Sequence, residues 1–241
     1  MHLALCTVVV FTMSFATRVS GQEVVKILEL GFAPAIHANG DAAMDLALNA
    51  LEHGRAETGN TTIRPHLIHC QYVRPDQFDR IGSMGNIGMS FFTPHVHFWG
   101  DMHRDLLLGP ERAPKIASMN SAIERDIPYA IHNDPPVTQP NALHSMCVAV
   151  NRLTTSGRVL GPDQRITPQQ ALLAYTQQAA VVLGIEDQIG TLEPGKYADF
   201  VVLSHNPLEV DPMKIKDIEV EATVMNGRIT YIARPMGFYH H

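Results

Sequence analysis

Three residues stand where short apolar runs give way to polar turns: His37 after Phe32-Ala-Pro-Ala-Ile, His69 after His66-Leu-Ile, and Asp134 after Tyr129-Ala-Ile-His-Asn. Each run has the length and composition of a buried strand. Parallel α/β folds keep their chemistry at the C-terminal lips of such strands. Two imidazoles and a carboxylate are the donor types of a hydrolytic metal site. Each also has an ordinary reading: a buried histidine hydrogen-bonded at a strand end, or an aspartate capping the helix that follows. Asp41 reads as an N-cap rather than a ligand. His95, His97 and His103 read as loop residues facing solvent or substrate, and His132 as a support behind the ligands or a structural histidine.

The elements that would position these residues follow from periodicity. Residues 23–30 read as a short helix stopped by Gly31, and residues 32–37 as a strand. Asp41 then opens a helix with Met44, Ala47, Leu48 and Leu51 on one face and Gly54 as its stop. A strand over 64–69 leads to a helix opened by Pro75, with Phe78 and Ile81 inward. A third strand spans 87–92. Residues 94–109 read as a long loop, and a helix around Ile116, Met119 and Ile123 returns to a fourth strand over 127–131. Pro135 ends that strand and favours an extended Asp134. Leu143, Met146, Cys147, Val150 and Leu153 form the next helical stripe. Thr167, Pro168 and Gln170 open one more helix, which Gly184 stops. Strand ends roughly 20 to 40 residues apart suit consecutive βα units.

After residue 187 the pattern changes. Pro194-Gly195 centres a turn of type II, residues 197–203 read as a strand, and residues 220–231 as a hairpin about Asn226-Gly227. This tail reads as a small sheet packed on the preceding units.

Bulk properties narrow the class. The 241 residues are 45% hydrophobic and 17% charged, enough to bury a real core, and a net charge of −6 offers no basic footprint for nucleic acid. Three cysteines, Cys6, Cys70 and Cys147, are too few and too scattered for a disulfide framework or a cysteine metal knuckle. No run of 18 apolar residues predicts a membrane-spanning helix. Residues 3–16 have the apolar character of a secretory signal but lack a preceding Lys or Arg. Location is left between the cytoplasm and, should that segment be a signal, secretion.

The tail Ile189-Gly-Thr-Leu-Glu-Pro-Gly-Lys-Tyr-Ala-Asp-Phe-Val-Val-Leu203, with Asn206-Pro-Leu208 and Val224-Met-Asn-Gly-Arg228, resembles the C-terminal signature of the amidohydrolase superfamily. Upstream, His37-Ala-Asn-Gly-Asp41, Ile68-His-Cys-Gln71, Phe92-Thr-Pro-His95 and Asn133-Asp-Pro-Pro-Val137 resemble its amidohydrolase-3 branch, the YtcJ-like proteins and formamide deformylases. The match runs over residues 22–231.

The resemblance implies an α/β fold: a partial (β/α)8 TIM-type barrel, the last four βα units, followed by a β-sandwich portion. Residues 1–21 then form an apolar segment outside it, 22–187 the barrel portion, and 188–241 the sandwich portion and tail. It implies that His37, His69 and Asp134 are metal ligands on the fifth, sixth and eighth strands, with Asp134 also taking a proton from water. A divalent metal, zinc first, would be the cofactor, and the reaction hydrolysis of a non-peptide C–N bond in a small amide-type substrate. The family's first-strand His-x-His and its fourth-strand bridging residue have no counterpart ahead of His37, so the resemblance is to the C-terminal half. The alternative is a non-catalytic remnant or subunit. Self-association through open barrel edges is expected in either case, with no nucleic-acid or membrane partner.

Overall fold

The computed structural model describes residues 20–233. The apolar 3–16 segment and the terminal histidines lie outside the described residues. Ser20 caps helix α1 (Gly21–Glu29) in a reciprocal box with Glu23. Strand β1 (Ala35–Ala38), helix α2 (Asp41–Thr58), β2 (His66–His69), α3 (Pro75–Met84) and β3 (Gly88–Phe91) then alternate. Helices α4 (Pro94–Met102), α5 (Gly109–Arg112) and α6 (Met119–Ile123) intervene before β4 (Tyr129–Ile131). The four strands pair in parallel in the order β1-β2-β3-β4. Ala38 is opposite His69, His69 opposite Phe91, and Phe91 opposite Ile131, so the strands end nearly level. The chain is therefore an α/β protein with a parallel sheet, as its βα rhythm indicates.

The core is built from the expected faces. Met44, Ala47, Leu48 and Leu51 of α2 are fully buried, as are Leu67, Met89 and Phe91 of the sheet. Helix α1 lies against α2 at Gly54, where an added Cβ would sit 2.5 Å from Val24 Cγ1. Gly54 is thus a packing contact inside α2 and not its stop. The helix runs on to Thr58, and Gly59, at φ +66°, ends it with its N–H on the Arg55 carbonyl.

Asp41 is the first helical residue; Gly40 is the N-cap. Its carboxylate accepts from Arg112 at 3.1 Å. Residues 94–109 are not a loop. Pro94 opens α4, and a π-helical turn, His103–Leu107, prolongs it. Gly100 explains the fit, because a Cβ there would stand 2.7 Å from Thr154 Cγ2.

Beyond β4, α7 (Ala142–Asn151) buries Leu143, Met146, Cys147 and Val150. It ends at Arg152, in left-handed conformation, so Leu153 pairs with Val159 outside the helix. Thr167 and Gln170 form the expected capping box of α8 (Pro168–Tyr175). The single helix expected up to Gly184 is broken at Thr176 (φ −124°, ψ −102°), and α9 (Gln177–Leu183) starts afresh. An antiparallel sheet, β5 (Phe200–Leu203), β6 (Val220–Met225) and β7 (Arg228–Ile232), completes the described chain. Its turn is at Asn226-Gly227, both at positive φ, and Gly195 stands at φ +97°.

Candidate metal centre

In β1 the residues around His37 are buried while His37 itself is exposed, so alternation turns its ring away from the core. One strand over, the end of β2 departs from extended geometry. His69 has φ +76° and Cys70 φ +47°. Such conformations cost about 1–3 kcal/mol each and persist only where surroundings impose them. Here the Tyr72 N–H donates to Asn39 O (3.0 Å), the Ala117 N–H to Gln71 O (2.8 Å) and the Phe92 N–H to His69 O (3.3 Å). Cys70 is fully buried, with its thiol donating to Leu67 O and its pKa pushed up by burial.

The His37 and His69 rings meet edge to face, centroids 4.5 Å apart. On its other side His69 Nδ1 lies 3.1 Å from His132 Nε2, and His132 Nδ1 lies 2.6 Å from Ser90 Oγ. Burial is the first reason that both imidazoles are held below the ordinary histidine pKa. His37 then lowers His69 further, while the Asp134 charge works the other way. For His132 the value falls to about 3, with His69, His95 and His66 adding to burial. Both rings are therefore neutral at neutral pH. That is the state a metal-ligating imidazole requires.

Asp134 follows β4 by three residues. It has φ +51° rather than the extended backbone expected ahead of Pro135, because it starts a tight turn in which the Val137 N–H donates to its carbonyl at 2.8 Å. Aspartate tolerates that region better than most residues. Asn133 anchors the turn: its amide donates to Ser145 Oγ at 2.8 Å and accepts from the Tyr175 hydroxyl at 2.8 Å. Among the described residues no three His, Cys, Asp or Glu side chains are gathered as one metal cage. His37 and His69 are in ring contact, and Asp134 bears on His69 through its charge.

Two features escape the sequence reading. Ser90 carries no motif, and only the register of β3 brings it to His132. His95, taken as a loop residue, is half-buried on α4 and packs on Phe92 (4.5 Å) and Trp99 (4.7 Å). Burial, then His103 and His69, lower its pKa to about 4. His97 Nδ1 lies 3.0 Å from Leu153 O.

The model of the amidohydrolase family, of the amidohydrolase-3 type, matches residues 22–231. The chain belongs to this family. Relatives include the Arabidopsis thaliana protein LONG AFTER FAR-RED 3, 34% identical over 203 residues that make up 83% of this chain and 34% of that protein. The N-substituted formamide deformylase of Arthrobacter pascens is 28% identical, covering 86% of this chain and 38% of its own length. An amidohydrolase chain of this kind thus spans little more than a third of the curated relatives it matches. Among solved structures, an uncharacterized metal-dependent hydrolase from Pyrococcus furiosus superposes with a TM-score of 0.66 at 28% identity, over 79% of this chain and 38% of the other. An adenosine deaminase from Xanthomonas campestris with bound zinc shares the fold at 14% identity and a TM-score of 0.63, over 88% of this chain and 49% of its own.

Proposed function

We propose that this chain carries part of the active site of a metal-dependent hydrolase acting on non-peptide C–N bonds of small amide-type substrates. His37, His69 and Asp134 would hold a divalent cation, zinc first, at the mouth of the last four units of a (β/α)8 barrel over 22–187. Residues 188–241 would comprise the sandwich portion and the tail. The observation that carries the reading is the Ser90–His132–His69–His37 array at the strand ends, within a chain of amidohydrolase sequence. When bound, such a cation supplies Lewis acidity toward the amide carbonyl and toward water.

The chain's own residues supply the rest. One proton arrangement leaves His69 Nε2 free for a cation: His69 Nδ1–H donates to His132 Nε2, and His132 Nδ1–H donates to Ser90 Oγ. The reverse arrangement would place a proton on His69 Nε2. Ser90 and His132 thus fix the ring angle of His69, and the first arrangement is the one in which its Nε2 can ligate. Asp134, lacking a hydrogen-bonded cation partner among the described residues, is available to accept a proton from the attacking water and return it to the leaving nitrogen. The strain at His69 and Asp134 is consistent with positions kept for chemistry.

The test is to purify the chain, measure bound zinc, and assay a panel of N-acyl and formamide substrates with and without added metal. Zinc retention and turnover that both collapse in His69→Ala and Asp134→Asn would support the reading. Zinc uptake unchanged in His37→Ala and His69→Ala would sink it. A second reading, a subunit that keeps the fold's surfaces without turnover, draws on the three side chains not being gathered as a cage. It expects zinc-independent folding and no hydrolysis.

A further inference from the structure

Beside Asp134 lies a cleft of about 390 Å³ between the start of α4, the 133–141 turn and the start of α7. Asn133 and Pro136 line it and bracket Asp134 in the chain, so the cleft adjoins the turn that carries Asp134. Ten residues form the wall, and none is Asp, Glu, Lys or Arg. His144, among them, is held below the ordinary histidine pKa by burial first, then by His97 and Lys216, so it too is neutral at neutral pH.

Part of the polar lining is already engaged within the fold. Asn133 serves Ser145 and Tyr175, the Thr138 hydroxyl donates to Asn133 O, and Asn141 Oδ1 accepts from the His144 N–H. What remains open is ring surface and a few neutral polar groups, the Gln139 amide and the His144 ring nitrogens among them. Phe98, 47% exposed, lies 5.7 Å from Trp99 and 5.6 Å from His144 between centroids. A cavity of about 150 Å³ is enough for a benzene ring, so this cleft has room for a ring and the atoms linking it to an amide.

We infer that the cleft binds an uncharged, flat apolar substituent of the substrate, an aryl group in preference to a small alkyl or an ionised one. The inference rests on the proposed amide hydrolysis for the identity of the linking group. Aromatic walls recognise such a group through offset and edge contacts, while a carboxylate or ammonium would lose its hydration with no counter-charge to meet it.

Trp99 is the only tryptophan of the chain and is part of the wall, so its fluorescence reads occupancy directly. The full chain, stripped of metal with chelator, is titrated with acetanilide, N-methylacetamide and 4-acetamidobenzoate. The expected result is a saturable change with acetanilide, none with N-methylacetamide over the same range, and binding at least about tenfold weaker for the carboxylated amide. Phe98→Ala should weaken acetanilide binding by up to about tenfold. Val137→Asp, at an exposed wall position, should weaken it as well, and serves if the first variant does not fold. The inference is overturned if acetanilide gives no saturable change, if all three amides respond alike, or if folded forms of these variants bind as the parent does. No metal or turnover enters the readout. Failed hydrolysis would therefore count against the proposed function alone, and failed binding against the cleft alone.

Discussion

At the scale of single residues, Ser90 is the sharpest test of how the histidines are organised. Replacing it with alanine removes the hydrogen-bond partner of His132 Nδ1 and loosens the orientation of the His132 and His69 rings. Zinc affinity should fall about 10–100-fold, read by competition with a chromophoric chelator, while the far-UV spectrum stays that of the parent. An unchanged affinity would mean that His132 does not orient His69. His95 offers a second test, in pH. Burial holds its folded pKa at about 4, against the ordinary 6.5 of a free imidazole. Between these values the unfolded chain binds the proton and the folded chain does not, so stability is lost as pH falls through the window. Each such group contributes a slope of up to about 1.4 kcal/mol per pH unit. Urea unfolding at several pH values from neutral downward should show this slope, and His95→Gln should make it shallower by one group's share, with His132 and His69 still contributing. A parent profile flat across the window would show that His95 is not held neutral.

At the scale of elements, close backbone approaches hold the parts together. Gly161 stands at φ +67°, and an added Cβ would lie 1.9 Å from Pro114 O; Gly157 stands at φ +82° with open space around it. Both substitutions to alanine incur the left-handed penalty of roughly 1–2 kcal/mol. Only Gly161→Ala must also push backbone aside, adding about 1–3 kcal/mol. Urea midpoints of the two variants should differ accordingly, and equal losses would show that the approach to Pro114 relaxes freely. The same neighbourhood depends on Arg152. It is 1% exposed and donates to the carbonyls of Leu160, Ala117, Ile116 and Pro114. Burial lowers its pKa to about 10. Arg152→Met should destabilise by about 3 kcal/mol or more, since it orphans several buried acceptors at once. A loss below about 1 kcal/mol would mean water replaces the guanidinium.

Arg152 also marks the limit of what the sequence reveals. The strands, the helix stripes, the Thr167 box and the Asn226-Gly227 hairpin are local, because each depends on residues close together in the chain. The placement of His37, His69 and Asp134 at or just past the ends of β1, β2 and β4 is legible for the same reason, each closing an apolar run. The roles of Ser90, Arg152 and Gly100 are set by partners distant in sequence, and no local pattern announces them. Residues 94–107 do not read as a helix because their histidines, aspartates and Gly100 interrupt the apolar periodicity. The break at Thr176 lies inside an uninterrupted apolar stripe.

At the scale of the whole molecule, the exposed apolar surface is unevenly placed. The outer strands of the parallel sheet, β1 and β4, are buried apart from His37. The antiparallel sheet is the reverse. All five residues of β7 are exposed, with Ile229 61% and Tyr231 51% accessible, and β5 exposes Val201 and Val202 on successive, opposite-facing positions. Neither face of that sheet is fully covered by the described residues, and contiguous apolar patches of this kind are association sites. The chain should therefore self-associate, and it should do so through 200–232. Sedimentation velocity over a wide concentration range is expected to show oligomers that shift toward monomer in the double variant Val201→Lys, Ile229→Lys, because it places an ammonium group on each face of the sheet and an unpaired one would be intolerable in an interface on either. Both positions are solvent-exposed in the folded chain, so the variant should keep its thermal transition. A parent that stays monomeric throughout, or a variant that associates equally well, would place the sticky surface elsewhere.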